Sequence, residues 1–209
     1  MSERRSMGHA AGRPGPWVEA WLSRARFARY LSEVGGDRGR ALALYEWNSR
    51  LGQAMMRDVG HFEVALRNVC NDTLTARWRG AQHWLFDPRS PVNAPLVRTL
   101  RKQKTDMNTR NRASVAEAVS RCGGRKASPG AVVAELNFGF WRHLSDAIQE
   151  KTLWVPYLHH AWPARTQRHQ IDAMIGAING QRNRIAHVRH EVAQFQWMHC
   201  LEVMPLVGC

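Results

Sequence analysis

Residues 51–70 read LGQAMMRDVGHFEVALRNVC, with apolar side chains at Leu51, Met55, Val59, Phe62, Leu66 and Val69. Steps of three and four place all of them along one face of an α-helix. The stripe reaches back to Leu44 across Asn48, its one polar interruption, and no proline falls between residues 38 and 78. This pattern predicts one very long helix, or two with a bend near Gly60, packed against another helix at a shallow angle. Glu63 and Arg67 stand four apart and read as a surface pair, with Asn68 beside them.

Outward from this helix the chain keeps a helical rhythm. Trp17 to about Val34 is compatible with a helix ended by Gly35-Gly36, and Asp37 makes an N-cap for the long segment. Residues 1–16 are rich in Gly, Arg, Ser and Pro and read as a mobile basic tail. On the other side, Pro88, Pro91, Asn93 and Pro95 mark a loop crossing the bundle. Leu96 to about Ser120 is expected to form one or two helices carrying Arg98, Arg101, Lys102, Lys104, Arg110 and Arg112. These cations have few neighbouring acids and suit a phosphate backbone.

Ser128-Pro129 has the form of a helix start. The aromatic cluster Asn137-Phe138-Gly139-Phe140-Trp141 reads as core rather than as a stacking platform. Leu153 to Pro163 is a proline-bounded connector, and the last long helix runs from about Arg165 toward His187. No segment has the sustained alternation of a strand. The expected class is all-α, a helical bundle with long antiparallel helices and extra helices inserted, in a single domain over residues 17–209.

At 209 residues the chain is long enough for a sizeable core. Its formal net charge of +13 comes almost entirely from arginine, since the lysines are Lys102, Lys104, Lys126 and Lys151. Guanidinium forks favour phosphate recognition, so nucleic acid is the first partner to consider. Cys70, Cys122, Cys200 and Cys209 have no C-x-x-C spacing. Without an apolar N-terminal leader or an 18-residue apolar run, the expectation is a cytoplasmic protein with no membrane partner.

The last helix ends in Gln181-Arg182-Asn183-Arg184-Ile185-Ala186-His187-Val188-Arg189-His190-Glu191. Continuing the stripe of Ile171, Ile175 and Ile178 by four places lands on Arg182, a charge that needs a carboxylate or a passing anion there. Glu63 is the candidate carboxylate. Arg182 and His187 lie roughly 140° apart on a regular helix. They meet one small ligand only if the helix bends near Ala186 or if two chains complete one site. Arg184 and His190, six apart, are a second register for the same pairing. Metal ligation has no support: no H-E-x-x-H or D-x-D string occurs, and His159, His160 and His169 read as surface groups. No cofactor motif is present.

Arg182-Asn183-Arg184-Ile185-Ala186-His187 resembles the R-x(4 to 6)-H signature of HEPN ribonucleases. Gly60-His61-Phe62-Glu63-Val64-Ala65-Leu66-Arg67-Asn68 and the block from Glu135 to Leu144 resemble, in the same order, segments of bacterial Abi-like (abortive infection) proteins. The resemblance spans about residues 20–190. It implies a HEPN-like bundle and a metal-independent endoribonuclease acting as a toxin or phage-defence effector. It also implies a motif paired across a homodimer interface and products with a 2′,3′-cyclic phosphate and a 5′-hydroxyl. Val188-Arg189-His190-Glu191 departs from the usual continuation of the family pattern.

RNA carries its own nucleophile, the 2′-hydroxyl, so cleavage requires proton transfer and charge balance at phosphorus. His187 is expected as acid or base and Arg182 as phosphate clamp. Asn183 either orients His187 or holds the phosphate. Arg184, Arg189, His190, Arg98, Arg101, Lys102 and Lys104 are candidate RNA contacts, supported by Glu63, Arg67 and Asn68. Two copies would supply the two histidines that the two proton transfers need. An antitoxin or a small RNA is a further candidate partner. The competing expectation is a non-catalytic RNA-binding helical protein with a degenerate site.

Overall fold

A computed structural model describes residues 14–100 and 102–186. They are mostly helical, with one two-stranded hairpin. By contacts the chain divides into two compact units with the break between Met55 and Met56. The long apolar stripe forms a single helix, α3 (Arg38–Arg77), about 60 Å long at 1.5 Å per residue. Its Asp37 cap is made: the Arg40 N–H donates to Asp37 Oδ1 at 2.9 Å.

In the first unit, the expected helix over residues 17–34 is two helices, α1 (Trp17–Leu22) and α2 (Arg24–Glu33). Their buried residues explain the break at Ser23, which takes φ +67°. Val18 and Leu22 share a face, but Phe27 would lie about 140° from Leu22 on an unbroken helix. Splitting the helix lets Val18, Leu22, Phe27, Tyr30 and Ala41 form one buried cluster. Residues 14 and 15, expected in the tail, are tied down here, because Arg38 donates to the carbonyls of Pro14 and Gly15 and to Glu19.

The second unit holds the larger core. The face of α3 carrying Val59, Phe62, Leu66, Cys70 and Leu74 packs with Trp84, Trp141, Leu144, Leu153, Ile171, Ile175 and Ile178. Each such side chain contributes roughly 1.5–3 kcal/mol of burial. Around α3 stand α4 (Thr109–Arg121), α5 (Pro129–Glu135), α6 (Phe138–His143) and α7 (Arg168–Ala186). Ser128 caps α5 through the Ala131 N–H, and Asn137 caps α6 through the Phe140 N–H. Phe138, Phe140 and Trp141 are buried, as core aromatics should be. Between α6 and α7 the connector coils through short 3-10 and π turns.

The absence of strands is corrected. Val97–Leu100 (β1) and Gln103–Asp106 (β2) pair antiparallel where a helix was expected. Lys102 takes φ +66° in the turn, and β-branched Val97, Thr99 and Thr105 populate the strands. Asp106 closes the base: its Oδ1 accepts from the N–H groups of Leu96 and Asn108, and Arg112 donates to its Oδ2 at 2.6 Å. These side-chain bonds to backbone outweigh a helix propensity that is weak to begin with. Among the described residues no helix is long and apolar enough to cross a membrane.

Candidate functional site

The C-terminal end of α7 carries the motif as far as Ala186. His187, Arg189 and His190, like Arg101, lie outside the described residues. The stripe of Ile171, Ile175 and Ile178 continues by three places to Gln181, which is 8% exposed, and not by four to Arg182. Gln181 therefore fills the place expected for the guanidinium, and an amide tolerates it because it carries no charge to desolvate. Arg182 stands next to it, half-buried, and donates to Asn183 Oδ1 at 3.3 Å. Asn183 and Arg184 are exposed, and the Arg184 guanidinium engages the Gln181 side-chain oxygen.

Across from α7, α3 presents half-buried Glu63 and Arg67. Burial pushes the Glu63 carboxyl above the usual carboxylate range, while the Arg182 and Arg67 guanidiniums and the Phe138 backbone N–H pull it the other way without cancelling the rise. The geometry thus brings Glu63 within the field of Arg182, one turn of α3 before Arg67. Arg67 does not pair with Glu63 at its surface as expected. Its Nη1 reaches the Ala134 carbonyl at 3.5 Å, and its Nε is buried without a hydrogen-bond partner among the described residues. A longer reach to α5 wins over the i to i+4 pair. Asn68 is exposed and turned about 100° from Arg67.

Beside this patch α6 brings further polar groups. His143 Nδ1 and Asp146 Oδ2 are 2.5 Å apart, and this contact holds the Asp146 carboxyl below its ordinary range. Arg142 lies against Gly176 of α7, the only side-chain neighbour a Cβ there would meet within 4 Å. The Arg142 Nε and His143 Nε2 atoms are buried without hydrogen-bond partners among the described residues.

The cations expected on a helix are divided among different tasks. Arg98, Lys102 and Lys104 are exposed on the hairpin. Arg98 pairs with Thr105 and Lys104 with Thr99, so these two cations leave opposite faces of the ribbon. Arg112 is not a free surface charge, since it is bonded to Asp106 and to the Asn93 carbonyl.

Sequence reading passed over a groove at the base of this hairpin. It has a volume of about 210 Å³ and is lined by Trp78, Arg89, Pro91, Leu96, Thr152 and Tyr157, among others. A buried amide network supports it. Asn93 Nδ2 donates to the carbonyls of Trp84, Leu85 and Asp87. Asn108 Nδ2 donates to those of Pro91 and Ala94, and Asn108 Oδ1 accepts from Asn111 and Gln149. Gly80 is required here, because a Cβ would overlap the Trp78 indole and the Asp87 carboxylate. The signal in the sequence was the density of Pro and Asn over residues 88–95, which turn chemistry alone does not demand.

Among the described residues no group of three His, Cys, Asp or Glu side chains is placed to hold a metal ion. Comparison with protein-family models, with curated proteins and with solved structures returns no match.

Proposed function

We propose that the protein is a metal-independent endoribonuclease of the HEPN type, an Abi-like toxin or phage-defence effector that cleaves RNA by attack of the 2′-hydroxyl. The observation that supports the reading is the placement of Arg182 and Asn183, bonded to each other at the end of α7, with half-buried Glu63 and Arg67 on α3 near enough for the Arg182 charge to act on the Glu63 carboxyl. A guanidinium that feels a nearby carboxyl without bonding to it keeps its charge available to an anion. That is what a clamp for a pentacoordinate phosphorus requires. Arg182 takes the phosphate, His187 moves a proton, and Asn183, whose side-chain oxygen accepts from Arg182, orients the pair.

A homodimer with the motif at its interface supplies the second histidine, so that one imidazole takes the 2′ proton while the other protonates the departing 5′ oxygen. The test is incubation of total RNA with the purified protein in EDTA, followed by mapping of the cut ends. Wild type should leave 2′,3′-cyclic phosphates. His187→Ala should slow cleavage about 10²–10⁴-fold, the usual weight of a general acid or base, with its far-UV circular dichroism unchanged. Undiminished cutting by that variant would remove the chemistry.

A second reading, RNA binding without scission, is favoured by the exposed cations of the hairpin, which lie on both of its faces and need no catalytic partner. Salt-dependent retention of RNA with no cut ends would select it.

A further inference from the structure

The groove between the end of α3, the 88–96 segment and the connector after α6 has no part in the chemistry just described. Its walls are aromatic: the Trp78 and Tyr157 rings lie 6.3 Å apart at 58°. The indole is held in place, since its Nε1–H donates to the Gln82 carbonyl at 3.1 Å. Neither the Tyr157 hydroxyl nor the terminal nitrogens of Arg89 make a hydrogen bond to the described residues. Arg89 is anchored through its backbone N–H and Nε to Asp87 Oδ1, and its side chain is 72% exposed. The floor is stiffened by Asn108, whose amide is fully used within the protein.

Cations outnumber acids around the groove. Leu96 lines it and leads directly into the hairpin that bears Arg98, Lys102 and Lys104. Arg77 precedes Trp78 and lies near enough to His160 to help hold that imidazole below its usual range, after burial and the neighbouring His159. The nearby acids are already engaged, Asp87 by Arg89 and Asp106 by Arg112. A cavity of about 210 Å³ is smaller than the roughly 300–1,000 Å³ of sites that enclose a drug-sized molecule. It has room for one flat ring system, with any further part of a ligand lying outside.

We infer that this groove holds one unpaired nucleotide of a bound RNA strand, with its base stacked on Tyr157 and bordered by the tilted Trp78 indole, its phosphate on Arg89, and the flanking phosphates along the hairpin. This rests on the RNA reading above and names the form of RNA taken, a single strand. Stacking on the Tyr157 ring within the groove needs a base that has left its own stack, which a duplex does not offer. The groove also reads little sequence. Asn108 has no spare donor or acceptor direction, and Thr152 already donates to Gln149 Oε1, leaving the Tyr157 hydroxyl as the main free edge contact.

The test is binding of the full chain to a labelled ten-nucleotide 2′-O-methyl oligouridine, which lacks the nucleophile, followed by fluorescence anisotropy at several salt concentrations. Tyr157→Leu should weaken binding roughly tenfold at unchanged salt slope, and Tyr157→Phe should stay within about twofold. Arg89→Gln should weaken it and reduce the salt slope by about 0.7, one phosphate on a single strand. An RNA duplex of equal length should bind with no dependence on residue 157. Wild-type affinity in Tyr157→Leu, equal dependence for the duplex, or Tyr157-dependent capture of a proline-rich peptide in place of the oligonucleotide overturns the inference. The cleavage reading fails separately: tyrosine-dependent binding with no cut ends on natural RNA leaves the groove and removes the nuclease, whereas cutting that ignores residue 157 does the reverse.

Discussion

Replacing Asn108 by alanine should be among the most costly single changes in the second unit, and its size follows from four hydrogen bonds. The side chain is 1% exposed; it donates at 2.8 and 2.7 Å to the carbonyls of Pro91 and Ala94 and accepts at 2.8 and 3.2 Å from Gln149 and Asn111. Pro91 and Ala94 are half-buried at the groove, so water replaces much of what their carbonyls lose. Gln149 and Asn111 are 0% and 1% exposed, and each amide left without its acceptor costs about 1–3 kcal/mol. Two such groups, plus a small remainder from the carbonyls, give about 4 kcal/mol.

Set against the 5–15 kcal/mol typical of a folded domain, that loss leaves the protein folded but loosened. Urea unfolding followed by circular dichroism measures it. Thr109→Ala is the control, an exposed neighbour whose hydroxyl donates to the Asp106 carbonyl and accepts from Arg112 at 3.3 Å, both open to water, so that its loss should cost about 1 kcal/mol or less. A loss below about 1 kcal/mol in Asn108→Ala, at an unchanged slope, would refute the view that this network holds the loop and hairpin.

Two further outcomes follow from single side chains. Gly60 lies inside α3, where an added Cβ meets nothing within 4 Å, so Gly60→Ala should stabilise by about 0.5–1 kcal/mol; destabilisation on calorimetry would mean that α3 does bend there. Glu63 carries a folded-state pKa above its ordinary 4.5, so below that value both states are protonated and the group contributes nothing. As pH rises through the interval up to the folded value, the unfolded chain releases the proton first and stability is lost. The melting temperature of Glu63→Gln relative to wild type should therefore climb from pH 4 toward neutrality, and a flat or falling difference would contradict the burial of that carboxyl.

The long helix, the caps at Asp37 and Ser128, and the buried aromatics of α6 could be read in the chain itself, because period, cap chemistry and apolar content are local properties. Ser23 and the hairpin could not. Both depend on what neighbouring segments demand: one buried cluster that an unbroken helix cannot fill, and one carboxylate, Asp106, that satisfies backbone donors on two sides. The motif shows the same divide. Arg182 and Asn183 were visible as a string, and Glu63 was reached by asking what charge an arginine on that face would need. Gln181 took the buried place because α7 advances by three at its end rather than four.

What the sequence determined by itself is the helical character of the chain and its arginine charge. Tertiary structure alone decided that Gln181 rather than Arg182 takes the buried place on α7, that Arg112 is spent on Asp106, and that Trp78 and Tyr157 meet across 79 positions of chain to line a groove. The reason is that periodicity reports which face of a segment is buried, whereas partnership between distant side chains depends on how the segments close on one another, and no local pattern encodes that distance.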